Sequence, residues 1–249
     1  MQKNYPNINV REINYPKFKA RQVDYPHLNV REVKMDDEAA QRLLIKYHIP
    51  VLKQVVAKDL AGAIKAVKRI GYPLALKVSS PDIVHKTEVD GVSLNIRNEL
   101  ELRTEYKRIA ESVKRKAPKA RVAGFVVQRM MEGKNVRELI IGSKLDPQFG
   151  PVVMFGLGGI FVEVLEDVSF RLAPLAKEDA REMLAEIKGE RLLQGFRGRK
   201  AVNTGAIISC LLSVSRLVAE NPNIRELDIN PLFADDRIAA AGDFRVLVD

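Results

Sequence analysis

A chain of 249 residues, 46% hydrophobic and 29% charged, has enough apolar side chain for one large domain or two packed lobes, which excludes a globally disordered protein. A single cysteine, Cys210, excludes an intramolecular disulfide framework and a cysteine-cluster zinc site; no run approaches the roughly 18 apolar residues of a membrane span, so a cytoplasmic protein with no membrane partner is expected. The net charge of +9 admits a nucleic acid, a polyanionic small ligand such as a nucleotide, or a solvated surface, and does not choose among them.

The chain opens on three decapeptides, NYPNINVREI (4–13), NYPKFKARQV (14–23) and DYPHLNVREV (24–33), which share Tyr-Pro, an arginine at the eighth position and a β-branched residue at the tenth. A proline every ten residues rules out a continuous helix, so residues 1–34 are expected to form an extended arm. With seven Lys and Arg against three Asp and Glu, the arm could be an inert extension, a contact for a partner subunit or a basic strap.

From residue 35 the pattern becomes a regular alternation. Helices are predicted over 35–48, 58–70, 99–117, 176–188 and 203–220, the first with Asp36 or Asp37 near its N-terminus and apolar Ala39, Leu43, Leu44 and Tyr47 at helical spacing. Strands are predicted over 49–57, 73–80, 92–97, 123–130, 137–145, 151–156 and 160–166, with a closing hairpin of 224–234 and 240–249. A polar loop, PDIVHKTEVDG, joins the second and third strands. The order is that of an α+β (or α/β) protein with mixed sheets and lacks a dinucleotide-type βαβ series.

Three features could carry chemistry. Gly156, Gly158 and Gly159 follow a strand but precede a strand-like segment, so the dinucleotide fingerprint is not met; a structural turn or a loop whose bare N–H groups approach an anion remains. In IRELDINPL, Glu226, Asp228 and Asn230 project to one face, and Asp243 follows in the closing strand; hard oxygen donors on adjacent strands suit Mg²⁺, and a water-facing strand would look the same. His85 lies in the polar loop beside Lys86, with Lys77 on the preceding strand. A neutral imidazole nitrogen is a competent nucleophile, and the lysines would screen a phosphoryl group, although a lone loop histidine is also ordinary. His27 and His48 have no comparable company.

Taken in order, YHIPV, PLALKVSSPDIVHKTEVDGV, VVQRMMEGKNVRELIIG, FGLGGIFVEVLEDVSFRLAPL and ELDINPL resemble the β subunit of ADP-forming acetyl-CoA (acyl-CoA) synthetase, an ATP-grasp domain related to the β chain of succinyl-CoA synthetase. The resemblance covers residues 35–249 and implies an ATP-grasp fold of two lobes, roughly 35–125 and 126–249, with mixed or antiparallel sheets flanked by helices. It implies an acid–thiol ligase that interconverts acyl-CoA, ADP and phosphate with acid, CoA and ATP, with Mg²⁺ as cofactor and ADP/ATP as substrate. His85 would be the phosphohistidine and Lys77 the phosphate-binding lysine. Val127, Gln128 and Met130 would read adenine through backbone hydrogen bonds, Glu132 would take a ribose hydroxyl, and Glu138 would face the nucleotide. Asn230 and Asp243 match the Mg²⁺ ligands, with Asp228 a third, and Gly156, Gly158 and Gly159 would receive the phosphoryl group.

The chain departs from the family pattern at Asp90-Gly91, where Gly-Gly is common, and at His48, where glycine is common. No segment is left over for the CoA-binding domains, so an α subunit carrying them is the expected partner, in a hetero-oligomer to which the arm adds contacts; nucleic acid is not expected. Two other readings compete. A carboxylate ligase working through an acylphosphate would use the same metal ligands without a phosphohistidine, and a non-catalytic nucleotide-binding module would use the arm to hold nucleic acid.

Overall fold

In a computed structural model of the chain, the residues described are 32–159, 167–195 and 198–249. The repeats through Arg31 and the strand expected over 160–166 lie outside them. The elements in chain order are β1 (Val33–Lys34), α1 (Asp37–Lys46), β2 (Gln54–Ala57), α2 (Leu60–Ile70), β3 (Leu74–Ser79), β4 (Val92–Ile96), α3 (Glu99–Lys116), β5 (Gly124–Arg129), β6 (Arg137–Asp146) and β7 (Gly150–Leu157). After them come β8 (Val168–Leu172), α4 (Lys177–Glu186), the single turn α5 (Glu190–Leu193), α6 (Thr204–Glu220), β9 (Ile224–Ala234), β10 (Ala239–Ala241) and β11 (Phe244–Val248).

The helices start where side chains can satisfy free backbone N–H groups. Asp36 caps α1 by accepting from Ala39 N (2.8 Å), and Asp59 caps α2 by accepting from Gly62 N (2.7 Å). Asn98 caps α3 by accepting from Glu101 N (2.9 Å), while Glu101 reaches back to Arg97 N (2.8 Å). Lys114, Arg115 and Lys116 close α3 at the end where the helix dipole favours positive charge.

The strands form two sheets, and every ladder among the described residues is antiparallel. The smaller runs β2-β5-β3-β4, and the larger runs β1-β11-β9-β6-β7-β8, with β10 also on β9. One face of the small sheet, Leu74, Leu76, Val78 and Val127, is sealed by Ala63, Ala66 and Ile70 of α2 and by Leu102, Ile109 and Val113 of α3. One face of the large sheet, including Leu139, Ile141, Phe155, Leu227 and Ile229, packs on α1, α4 and α6 through Leu44, Met183, Leu211 and Val214. Helices packed on one face of each antiparallel sheet are the α+β arrangement expected from the sequence.

The division expected at residue 125 needs correction. Val33 and Lys34 pair with Val248 and Leu247, and Ala40 and Leu44 of α1 enter the large core, so residues 33–46 belong with the large sheet. β5, through Arg129, is a central strand of the small sheet. The small lobe therefore spans Gln54–Arg129, because these strands take partners far away in sequence. Among the described residues, no helix is long and apolar enough to cross a membrane.

Candidate active site

The unsealed face of the small sheet meets the turn between β10 and β11. On β3, Leu74, Leu76 and Val78 enter the core, so Lys77 and Ser79 project from the opposite face. Lys77 is buried, and its Nζ donates to Gly242 O (2.9 Å) and stands 3.7 Å from Asp243 Oδ1. Burial lowers the Lys77 pKa and Lys86 lowers it further, while Asp243 works against both. Gln128, on the same face, donates to Gln54 Oε1 and to Gly242 O, each at 2.6 Å.

From the large sheet come Asp228, Asn230 and Asp243. Asp228 lies opposite Arg245, and Asn230 N donates to Asp243 O (3.1 Å), so the strand pairing brings the three residues to one face. Burial opposes the charge on Asp243, but Lys77 and Lys86 outweigh it and hold its carboxyl below the ordinary aspartate range. Asp228 is pushed up to about 6, first by burial and then by Glu226 and Asp243, with Arg245 opposing. It makes no ion pair among the described residues. Pro231, which has no N–H to donate, falls where the β6–β9 register slips.

His85 is exposed in the loop between β3 and β4. The loop is pinned on each side of it. At its start, Lys34 Nζ donates to Ser80 O (2.9 Å) and Ile83 O (3.3 Å), and Asp82 pairs with Arg121. Next to His85, the buried Lys86 reaches Asp243 with Nζ–Oδ1 of 3.1 Å and Nζ–Oδ2 of 3.4 Å. At its end, Asp90 accepts from Ser112 Oγ (2.9 Å) and pairs with Lys116 (2.7 Å). Asp90 has φ +49° and His48 φ +60°, so both non-glycine departures from the family pattern sit in the left-handed region that favours glycine.

Two of the residues expected to read adenine do not fit that role. β5 is laddered on both edges, so the backbone groups of Val127 and Gln128 are taken up by β2 and β3; the Val127 side chain is in the core and Gln128 holds the Gly242 turn. Met130, just past the strand, gives its N–H to Pro73 O (3.2 Å). Glu132 and Glu138 are exposed, with Glu132 3.9 Å from Arg97. Gly156 is not in a loop either, since β7 extends through Leu157 and Gly156 pairs with Ile140 and Val168. Gly158 donates to Glu138 O (2.7 Å) and packs so closely that a Cβ there would come 2.9 Å from Glu138 C.

Sequence reasoning missed Lys34, Asp37, Gln54 and Ser79 as site residues, and read Lys86 as a charge screen beside His85 without its bond to Asp243. Asp37 and Ser79 form a buried hydrogen bond (Oγ–Oδ2 2.6 Å), and Lys34 lies 3.6 Å from Asp37. These ties join residues more than 40 positions apart, except the Lys34–Asp37 pair, which no local pattern distinguishes from an ordinary helix start.

Among the described residues, no three His, Cys, Asp or Glu side chains stand close enough to hold a metal ion by themselves. The donor set nevertheless fits a hard cation that brings phosphate oxygens with it: carboxylates and an amide project from paired strands, and Asp228 is a carboxylate that a nearby positive charge would relieve.

A cleft between an unsealed lysine-bearing sheet and an acidic strand pair, on this two-sheet frame, defines a class, and the chain belongs to the ATP-grasp domain family, which it matches over residues 28–248. Within that class its relatives are ligases. It is 46% identical over 209 residues to the β subunit of ADP-forming acetate–CoA ligase I of Pyrococcus furiosus, covering 84% of this chain and 89% of that one. It is 43% identical over 201 residues to the ADP-forming 4-hydroxybutyrate–CoA ligase of Nitrosopumilus maritimus, covering 81% of this chain but only 28% of that much longer protein. Among solved structures, it superposes on the dinucleotide-forming acetyl-coenzyme A synthetase 1 of Ca. Korarchaeum cryptofilum in complex with coenzyme A, Ca-AMPCP and HgCl⁺, with a TM-score of 0.83 and 43% identity over 87% of this chain and 94% of that one. A second structure of that synthetase, with coenzyme A and Mg-AMPPCP, has its phosphohistidine segment pointing towards the nucleotide-binding site (TM-score 0.73, 40% identity, 88% and 94% covered).

Proposed function

We propose that the chain is the nucleotide-binding part of an ADP-forming acyl-CoA synthetase, in which His85 carries a phosphoryl group to ADP. The observation that carries this reading is the placement of His85: the ring is exposed, and its neighbour Lys86 is bonded to Asp243, in the same cleft as Lys77 and Asn230. The homology to ADP-forming acetate–CoA ligase β subunits supports it, as does the phosphohistidine segment of the Korarchaeum enzyme.

In the transfer, the N–P bond of phosphorylated His85 breaks as a β-phosphate oxygen of ADP forms the new P–O bond, and the imidazole leaves with the N–P electron pair. Lys77 would balance phosphate charge from its buried position, and the loop would set the imidazole in line with the accepting oxygen. Asp228, Asn230 and Asp243 would hold a magnesium ion, which when bound lowers the charge on the phosphate oxygens. Met130, Glu132 and Glu138 would contact the nucleoside, and Gly159 would offer a backbone N–H to a phosphate. The steps that use CoA and the acid would fall to a partner α subunit, in keeping with the relatives' naming as subunits or as longer chains.

Incubation with γ-labelled ATP and Mg²⁺ tests the reading. An acid-labile, base-stable label should appear on the chain and be absent from His85→Asn; a variant that still takes the full label would overturn the role of His85.

A further inference from the structure

We infer that Lys86 is a positioning residue: it holds the His85 segment in the cleft by occupying Asp243, the carboxylate that a nucleotide-bound divalent cation would also use. The inference rests on the reading of Asp243 as a cation ligand and concerns what fills that place in its absence. Val84, His85, Thr87 and Glu88 are all exposed, and Lys86 is the buried side chain among them. Its ammonium faces both Asp243 oxygens.

Two ammonium groups share the one carboxylate, and they are not equivalent. Lys77 has a second acceptor in Gly242 O, whereas Asp243 is the acceptor found for Lys86 among the described residues. A cation that takes the Asp243 oxygens therefore leaves Lys77 held and Lys86 without a partner, and a buried ammonium without a partner is driven towards solvent or towards a phosphate. His85 moves with it, because the two residues are adjacent. The base of the segment stays in place, since Lys34 holds Ser80 O and Ile83 O and Arg121 holds Asp82, through bonds that do not include Asp243. Cation binding and freedom of the His85 segment are thus linked, and the linkage is reciprocal.

The test uses the full chain, Mn²⁺ with ADP as the probe, and two readouts other than turnover: binding affinity by calorimetry, and amide exchange across residues 84–90. Lys86→Met should tighten Mn²⁺–ADP by about tenfold, the factor carried by one charge-assisted hydrogen bond. Arg121→Met, which releases Asp82 at the base of the loop and removes no charge that acts on Asp243, should leave that affinity unchanged. In the unsubstituted chain, Mn²⁺–ADP should speed exchange at 84–90 while ADP without a divalent cation does not. Unchanged or weaker affinity in Lys86→Met, or exchange at 84–90 in the unsubstituted chain that Mn²⁺–ADP slows or leaves alone, overturns the inference while leaving the site reading intact. Mn²⁺-dependent binding that survives Asp243→Asn overturns the site reading and the inference with it. If Lys86→Met does not fold, the exchange measurement on the unsubstituted chain decides alone.

Discussion

Gly91 shows how a single missing side chain shapes the site. Its N–H donates to Lys86 O and its carbonyl accepts from Val78 N, both at 2.7 Å, so the loop closes back onto β3 through this residue. A Cβ there would come 2.6 Å from Val78 Cγ1 and 2.8 Å from Lys86 O. Gly91→Ala should therefore cost about 1–3 kcal/mol in urea unfolding and shift Lys86 away from Asp243, because the buried Val78 methyl and a backbone oxygen cannot both retreat. Cys210 offers a contrasting check on the core. Burial in α6 raises its thiol to about 12, so at pH 8 a disulfide reagent should leave the native chain unlabelled and titrate one thiol in urea. The candidate residues Lys77, His85, Asn230 and Asp243 were legible from motif order, since each stands in a short sequence context. Lys34, Asp37 and Ser79 were not, because a buried lysine, an aspartate and a serine acquire meaning only when β1, α1 and β3 meet.

At the scale of elements, local signals marked most helix limits and tertiary contacts moved the strand limits. α2 runs from its Asp59 cap to Gly71, within two residues of the expected span, because cap and stop are both local chemistry. The strand expected over 49–57 shrinks to Gln54–Ala57, since Val51 bridges Ala241 and Leu52 N donates to Ala241 O, taking those residues to the large sheet. β8 and α5 went unread: β8 takes its regularity from pairing with β7, and α5 is one turn. The same scale governs the histidine loop, whose two ends are tied by carboxylates to segments of the small lobe. Arg121 brings Asp82 from 3.8 to about 2, and Lys116 and Ser112 lower Asp90. Depressed carboxylates contribute above their ordinary pKa and lose that contribution as pH falls through the folded value. Amide exchange at 80–91, corrected for intrinsic rates, should thus be flat from pH 7 to near 4 and rise as pH falls from 3.8 towards 2. Asp90→Gly should give the faster exchange already at pH 7, since relief of a positive φ does not replace the bonds to Ser112 and Lys116.

For the molecule as a whole, buried polar ties join the two sheets, and Lys34–Asp37–Ser79 is one of them. Asp37 opens α1 on the large-sheet side, accepts from Ser79 of the small sheet and faces the ammonium of Lys34, whose pKa burial lowers and Asp37 raises. The two charges are not symmetric. Removing Asp37 leaves a buried ammonium with only the carbonyls of Ser80 and Ile83, whereas removing Lys34 leaves Asp37 with Ser79 and the favourable N-terminal end of α1. Asp37→Ala should therefore destabilise the chain by about 2–4 kcal/mol in urea unfolding, and Lys34→Met by less. The double variant Asp37→Ala/Lys34→Met should recover part of the Asp37→Ala loss, because the uncompensated charge goes with the lysine. A double variant less stable than either single one, or an Asp37→Ala change below about 1 kcal/mol, would mean that this cluster is a solvated pair and that apolar packing alone sets how the lobes meet.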